Sequence, residues 1–129
     1  MKSNRFSTDQ GPSQRQRRAG ELIRHALAEM LQREEVHDAS LPQSPVTITE
    51  VRPSPDLKNA TVFCSVLGKD DIAGDIAALN TAAPRIRHVL GQKIDLKFTP
   101  ALVFKADSRF DEAARIDALL NRADVKRDL

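Results

Sequence analysis

Tryptophan and tyrosine are absent from this chain of 129 residues, and it has one cysteine, Cys64. A lone cysteine excludes an internal disulfide framework and any zinc or iron–sulfur centre built on the cysteines of one chain. No stretch approaches the ~18 consecutive apolar residues that span a bilayer. The opening Met1-Lys2-Ser3-Asn4-Arg5-Phe6 lacks the apolar core of a secretory signal, so a cytoplasmic protein without membrane partners is expected. The five glycines, at positions 11, 20, 68, 74 and 91, form no phosphate loop, no dinucleotide fingerprint and no G-x-x-G clamp. His25, His37 and His88 show no metal-ligand spacing, and no two acids fall in a motif that pairs carboxylates for catalysis. Cys64 sits among apolar strand residues and reads as a small core side chain rather than a nucleophile. An enzyme, a bound metal and an organic cofactor are therefore not expected.

What is present suits one soluble domain. Hydrophobic residues make up 40% and charged residues 29%, and a chain of this length buries enough surface to fold without a staple. The formal net charge is only +2, but it is segregated. Lys2, Arg5, Arg15, Arg17 and Arg18 crowd the first twenty residues against Asp9, and Arg85, Arg87, Lys93 and Lys97 follow late in the chain against Asp95. Glu29, Glu34, Glu35 and Asp38 form an acidic stretch around Arg33. Charge sorted in this way serves either one surface facing a polyanion or separate solvated helix faces.

Local patterns order the elements. Residues 1–12, polar and broken by Gly11-Pro12, read as a flexible leader. Ser13 and Gln16 have capping-box spacing, and Ala19, Leu22, Ile23, Ala26, Leu27, Met30 and Leu31 then recur on one helical face, predicting a helix over about 14–35. Gly20 weakens that helix unless something packs closely on it. The β-branched run over 46–51 predicts a strand, ended by Pro53 and Pro55, and 60–67 a second, antiparallel to the first. Asp70 or Asp71 caps a helix that Pro84 breaks or kinks, with helical spacing resuming through Ile86, Val89, Leu90 and Ile94. A third strand is expected over about 96–105, at an edge or bulge because of Pro100, then a last helix over 108–122 and a fraying tail over 123–129. Helices segregated from a mostly non-alternating sheet make an α+β domain over 13–122.

Nucleic-acid binding is better supported than catalysis, but not through stacking on the sheet. Phe63, Phe98 and Phe104 fall on expected strands, where core packing accounts for them. Guanidinium and ammonium groups remain. Arg85, Arg87, Lys93 and Lys97 are the first candidates for phosphate contacts, with Arg15, Arg17, Arg18 and Lys58 second. A protein-binding adaptor using the sheet or the acidic end of the first helix stays open.

The run from Val46 through Ser54-Pro55-Asp56-Leu57-Lys58-Asn59-Ala60-Thr61-Val62 to Gly68 resembles the ribosome-binding factor A family of bacteria. Three further segments match in the same order: Arg18-Ala19-Gly20-Glu21-Leu22-Ile23 with Leu27 and Leu31; Ile86-Arg87 with Leu90-Gly91, then Leu96-Lys97-Phe98-Thr99-Pro100 with Leu102 and Phe104; and Asp107-Ser108 with Arg115-Ile116-Asp117 and Leu119-Leu120. The resemblance implies a type II KH-like domain in which an interrupted helix with an A-x-G kink replaces the G-x-x-G loop. This chain departs from that pattern, reading Ala82-Ala83-Pro84 at the kink, Ala113 where the family often has glycine, and Ala101 where glutamate is common. By the same resemblance the protein is a monomeric, non-enzymatic assembly factor. It would bind immature 30S subunits and 16S ribosomal RNA, including the 5′-terminal helix, support processing of the 16S precursor ends and growth in the cold, and leave when a ribosome-associated GTPase acts. A stress or hibernation binder of mature ribosomes is the rival reading.

Overall fold

The computed structural model describes residues 11–107. The leader expected over 1–12 lies outside them except for Gly11 and Pro12, as do the expected last helix over 108–122 and tail over 123–129.

The first element starts where the capping box places it. Ser13 Oγ accepts from the Gln16 amide at 3.2 Å, and Gln16 Oε1 accepts from the Ser13 amide at 2.8 Å. Two amides that helix geometry leaves without partners are thus satisfied. The helix, α1, runs Gln14–Gln32, ending earlier than residue 35. Its end is a Schellman motif: Glu34 takes φ +56°, its amide donates to Leu31 O, and the Glu35 amide returns to Met30 O at 2.9 Å.

Strand β1 runs Val46–Pro53 and pairs antiparallel with β2, Asn59–Val66, as expected. A bulge at Thr49 shifts the register between Ile48 and Glu50. The strand includes Arg52 and Pro53, which the sequence reading placed beyond it. The sheet order is β1-β2-β3, so β1 is an edge strand, and Pro53 turns its backbone outward, where its carbonyl accepts from Gln16 Nε2 at 3.0 Å. The amide that proline lacks would have faced away from β2, and no ladder bond is lost.

The turn between the two strands is held by its own side chains. Asp56 Oδ1 accepts from Ser54 Oγ at 2.6 Å and from the Lys58 amide at 3.0 Å, while Leu57 adopts φ +60°. Those bonds hold the Asp56 carboxyl below its usual range, the Ser54 hydroxyl contributing most.

Helix α2 spans Ala73–Lys93 without a break, with Pro84 inside it. An interruption at Pro84 was expected, and the packing explains its absence. Leu79, Ala82, Ala83, Ile86 and Leu90 form one buried stripe that crosses the proline. Burying Ile86 and Leu90 on the same face is worth roughly 1.5–3 kcal/mol each, against a proline cost of about 3 kcal/mol. Pro84 itself is exposed, so the missing bond falls on the solvent side. At the helix start, Asp71 Oδ1 accepts from the Ala73 amide at 3.1 Å. It does so from one position before the cap residue, Ile72, whose side chain makes no cap bond.

Strand β3 is Ala101–Ala106 and pairs parallel with β2. It starts directly after the buried Pro100 and not at 96, and residues 96–100 form a lead-in outside the sheet. Its edge position is as expected. The core joins the α1 and α2 stripes to one face of the sheet, with Val62 and Phe104 at its centre. Gly20 earns its place here: a Cβ would stand 2.7 Å from Val51 O and 3.2 Å from Pro53 Cδ. The helix backbone lies directly on β1 there.

Candidate nucleic-acid interface

The first turns of α1, the β1–β2 turn and residues 96–100 converge on one cleft of about 570 Å³. Its floor is apolar, from Ala19, Leu22, Ile23, Leu57, Leu96 and Pro100, and Arg15, Arg18 and Lys97 stand on its walls. Arg15 and Arg18 share a helix face because they lie three residues apart. Residues 96–100 reach them because Arg87 anchors the segment to α2. Its Nε and one terminal nitrogen donate to Thr99 O at 3.0 and 2.8 Å. Gly91 permits that approach, since a Cβ there would lie 2.9 Å from Thr99 Oγ1.

The eight candidate cations therefore separate by role. Arg15, Arg18 and Lys97 line the cleft. Lys58, exposed, follows Leu57 on its turn, and its carbonyl accepts from the Ala101 amide. Arg17 is exposed on α1 but outside the lining. Arg85 is exposed on α2 and has no polar partner among the described residues. Arg85 and Arg87 lie about 200° apart around the helix at 100° per residue, so one surface cannot use both equally. Lys93 is committed elsewhere: its ammonium donates to Glu29 at 2.8 Å and to Glu35 at 3.1 Å, tying α2 to the end of α1. Those bonds raise the Lys93 pKa and lower that of Glu29. The acidic stretch around residue 35 thus has a structural partner that sequence spacing did not reveal.

Phe98 was expected in a strand, packed in the core. It is instead 61% exposed, lining the cleft, with the Lys97 ammonium 6.0 Å from its ring centroid. Leu22, 43% exposed, lines the same cleft. The signal that would have found Phe98 was Pro100, which delays the strand past it. Phe63 is half-buried on the sheet's other face beneath the Arg52 guanidinium, and Phe104 is in the core.

Nothing in this arrangement is set up for covalent chemistry. Cys64 is buried, and burial, aided by the Asp107 charge, pushes its thiol up to about 12. Among the described residues no cluster of histidine, cysteine and acids could hold a metal ion, and no helix is long and apolar enough to cross a membrane.

Comparison with known proteins places this geometry. The profile of the family described as ribosome-binding factor A matches residues 15–120. The chain belongs to the ribosome-binding factor A family. It is 50% identical to ribosome-binding factor A of Maricaulis maris over 129 residues, covering 100% of this chain and 92% of that one. With the Methylorubrum extorquens protein it shares 52% over 122 residues, 95% of this chain and 84% of the other. The crystal structure of ribosome-binding factor A from Thermus thermophilus superposes with a TM-score of 0.58 at 25% identity, over 70% of this chain and 94% of that one. A Thermus thermophilus ribosome binding factor A fitted into the cryo-EM map of a 30S complex gives 0.52 at 25% identity, over 67% and 89%. The α+β architecture, helix–strand–strand–helix–strand, is thus the KH-like fold of ribosome-binding factor A.

Proposed function

We infer that this protein is a non-enzymatic assembly factor that binds the immature 30S subunit and supports late maturation of 16S ribosomal RNA and processing of its precursor ends. The observation that carries this reading is 50% identity along the full chain to a ribosome-binding factor A. Its partner is the small subunit, on which the Thermus thermophilus relative has been fitted. Residues 13–122 are the RNA-binding domain of a cytoplasmic monomer. Arg15, Arg18 and Lys97 meet the phosphates, Lys58 and Arg17 flank them, Arg87 positions the segment that carries Lys97, and Arg85 stands on another face of α2. Lys93 supports the fold beside them. The RNA met includes the 5′-terminal helix of 16S ribosomal RNA, and a ribosome-associated GTPase releases the factor.

The mechanism needs no bond to form or break. A ligand that prefers one arrangement of the RNA raises its population in proportion to the difference in affinity. Sedimentation of the tagged protein from growing cells tests this reading. It should travel with free 30S particles, and cells lacking it should accumulate 16S RNA with unprocessed ends. A peak confined to complete ribosomes would overturn the reading in favour of a stress or hibernation role. Co-sedimentation that survives RNase would favour a protein-binding adaptor.

A further inference from the structure

We propose that the cleft between α1 and residues 96–100 is a single-nucleotide pocket, in which an unstacked RNA base lies on the ring of Phe98. This rests on the RNA-binding reading above and adds what the site takes: a flipped or single-stranded base rather than a duplex backbone.

Three observations carry it. Phe98 is 61% exposed, whereas of the two strand aromatics Phe104 is in the core and Phe63 is half-buried beneath the Arg52 guanidinium. The Phe98 ring is not isolated, since Leu22, 43% exposed, lines the same cleft, and contiguous exposed apolar surface rimmed by polar residues marks an interaction site. The floor beside it, with Leu22, Leu57 and Leu96, is apolar and suits the flat face and edge of a base. The walls carry Arg15, Arg18 and Lys97, complementary to the phosphates on either side of a single nucleotide. The one carboxylate among the lining residues, Asp56, keeps its negative charge, its Oδ1 accepting from Ser54 Oγ and the Lys58 amide, but the three cations of the lining outnumber it. The ammonium of Lys97, over the ring at 6.0 Å, yields that face to a base and moves to its phosphate.

The composition supplies a direct test. With no tryptophan and no tyrosine in the chain, Phe98→Trp places one indole in the full-length protein, and a base stacked on it quenches its emission. Titration with a single-stranded mixed-sequence RNA of twelve nucleotides should quench saturably, and a blunt duplex of the same length should not. Phe98→Ala and Phe98→Leu should each weaken single-strand binding by roughly 5- to 100-fold, the range of one lost base stack. Leucine keeps the apolar bulk, so an apolar protein partner would tolerate it and a base would not. Circular dichroism of both variants should match the parent. If single-stranded RNA binds by anisotropy while the indole emission stays constant, or if Phe98→Leu binds as tightly as the parent, the base pocket is refuted and the assembly role stands. If neither the RNA nor 30S particles bind the parent protein, the underlying reading fails as well.

Discussion

At Gly20 the absence of a side chain sets the distance between two elements. Alanine at this position would gain about 1 kcal/mol of helix propensity. It would also push a Cβ to 2.7 Å from the backbone oxygen of Val51, which has no rotamer to escape by. The clash should win, and Gly20→Ala is expected to cost about 1–3 kcal/mol in urea unfolding. Lys93 shows how a cation can be diverted from the role its neighbours suggest. Its bonds lower the Glu29 pKa from 4.5 and raise its own from 10.5. The depressed carboxylate contributes stability above pH 4.5, lost as pH falls through its folded value. The raised ammonium contributes below pH 10.5, lost as pH rises through its own. Lys93→Met should therefore flatten both limbs of the stability–pH profile while leaving RNA affinity unchanged, as thermal melts across pH and filter binding will show.

At the scale of elements, Pro84 makes the clearest case. The Asn80 carbonyl, four residues earlier, loses its helical donor, and the ring adds strain. Pro84→Ala restores the amide within an already helical segment. It should stabilise the protein by about 1–3 kcal/mol, read from the denaturant midpoint at constant slope. The sequence disclosed the elements well but not their ends. Ser13 with Gln16, the apolar stripe of α1 and the alternation of β2 are local patterns, and each appears in the structure as read except that Leu22, counted in the stripe, is 43% exposed. The continuity of α2, the inclusion of Pro53 in β1 and the late start of β3 depend on which face is buried and which edge is open. Those are tertiary facts. The site was legible to the same degree. Arg15 and Arg18 stand where their helix spacing puts them, but Lys93 meets Glu29 across 64 residues and Phe98 surfaces because a strand begins late. No short window of sequence contains the first event, and only Pro100 signals the second.

For the whole molecule, charge placement governs association more than net charge does. Replacing Arg15, Arg18 and Lys97 with glutamine should weaken binding to 30S subunits and reduce the slope of log affinity against log salt by about 2 to 3. The same substitutions should leave stability within ~0.5 kcal/mol, since the three side chains stand on the surface. Edges matter at this scale as well. The outer edge of β3 is closed at Phe104, where Asn80 Oδ1 accepts from its amide at 2.8 Å and Asn80 Nδ2 donates to its carbonyl at 3.0 Å. A side-chain amide fills the place of a fourth strand there and discourages a second chain from docking along that stretch.

The parallel pairing of β2 with β3 also has a bearing on synthesis. The β1–β2 hairpin can close as soon as residue 66 leaves the ribosome, but the strand that completes the sheet is the last of the described elements to emerge. Until then one side of Asn59–Val66 has no neighbour, and the nascent chain carries a naked strand through the translation of all of α2. A protein that tends newborn ribosomes thus passes through a vulnerable interval of its own on an existing one.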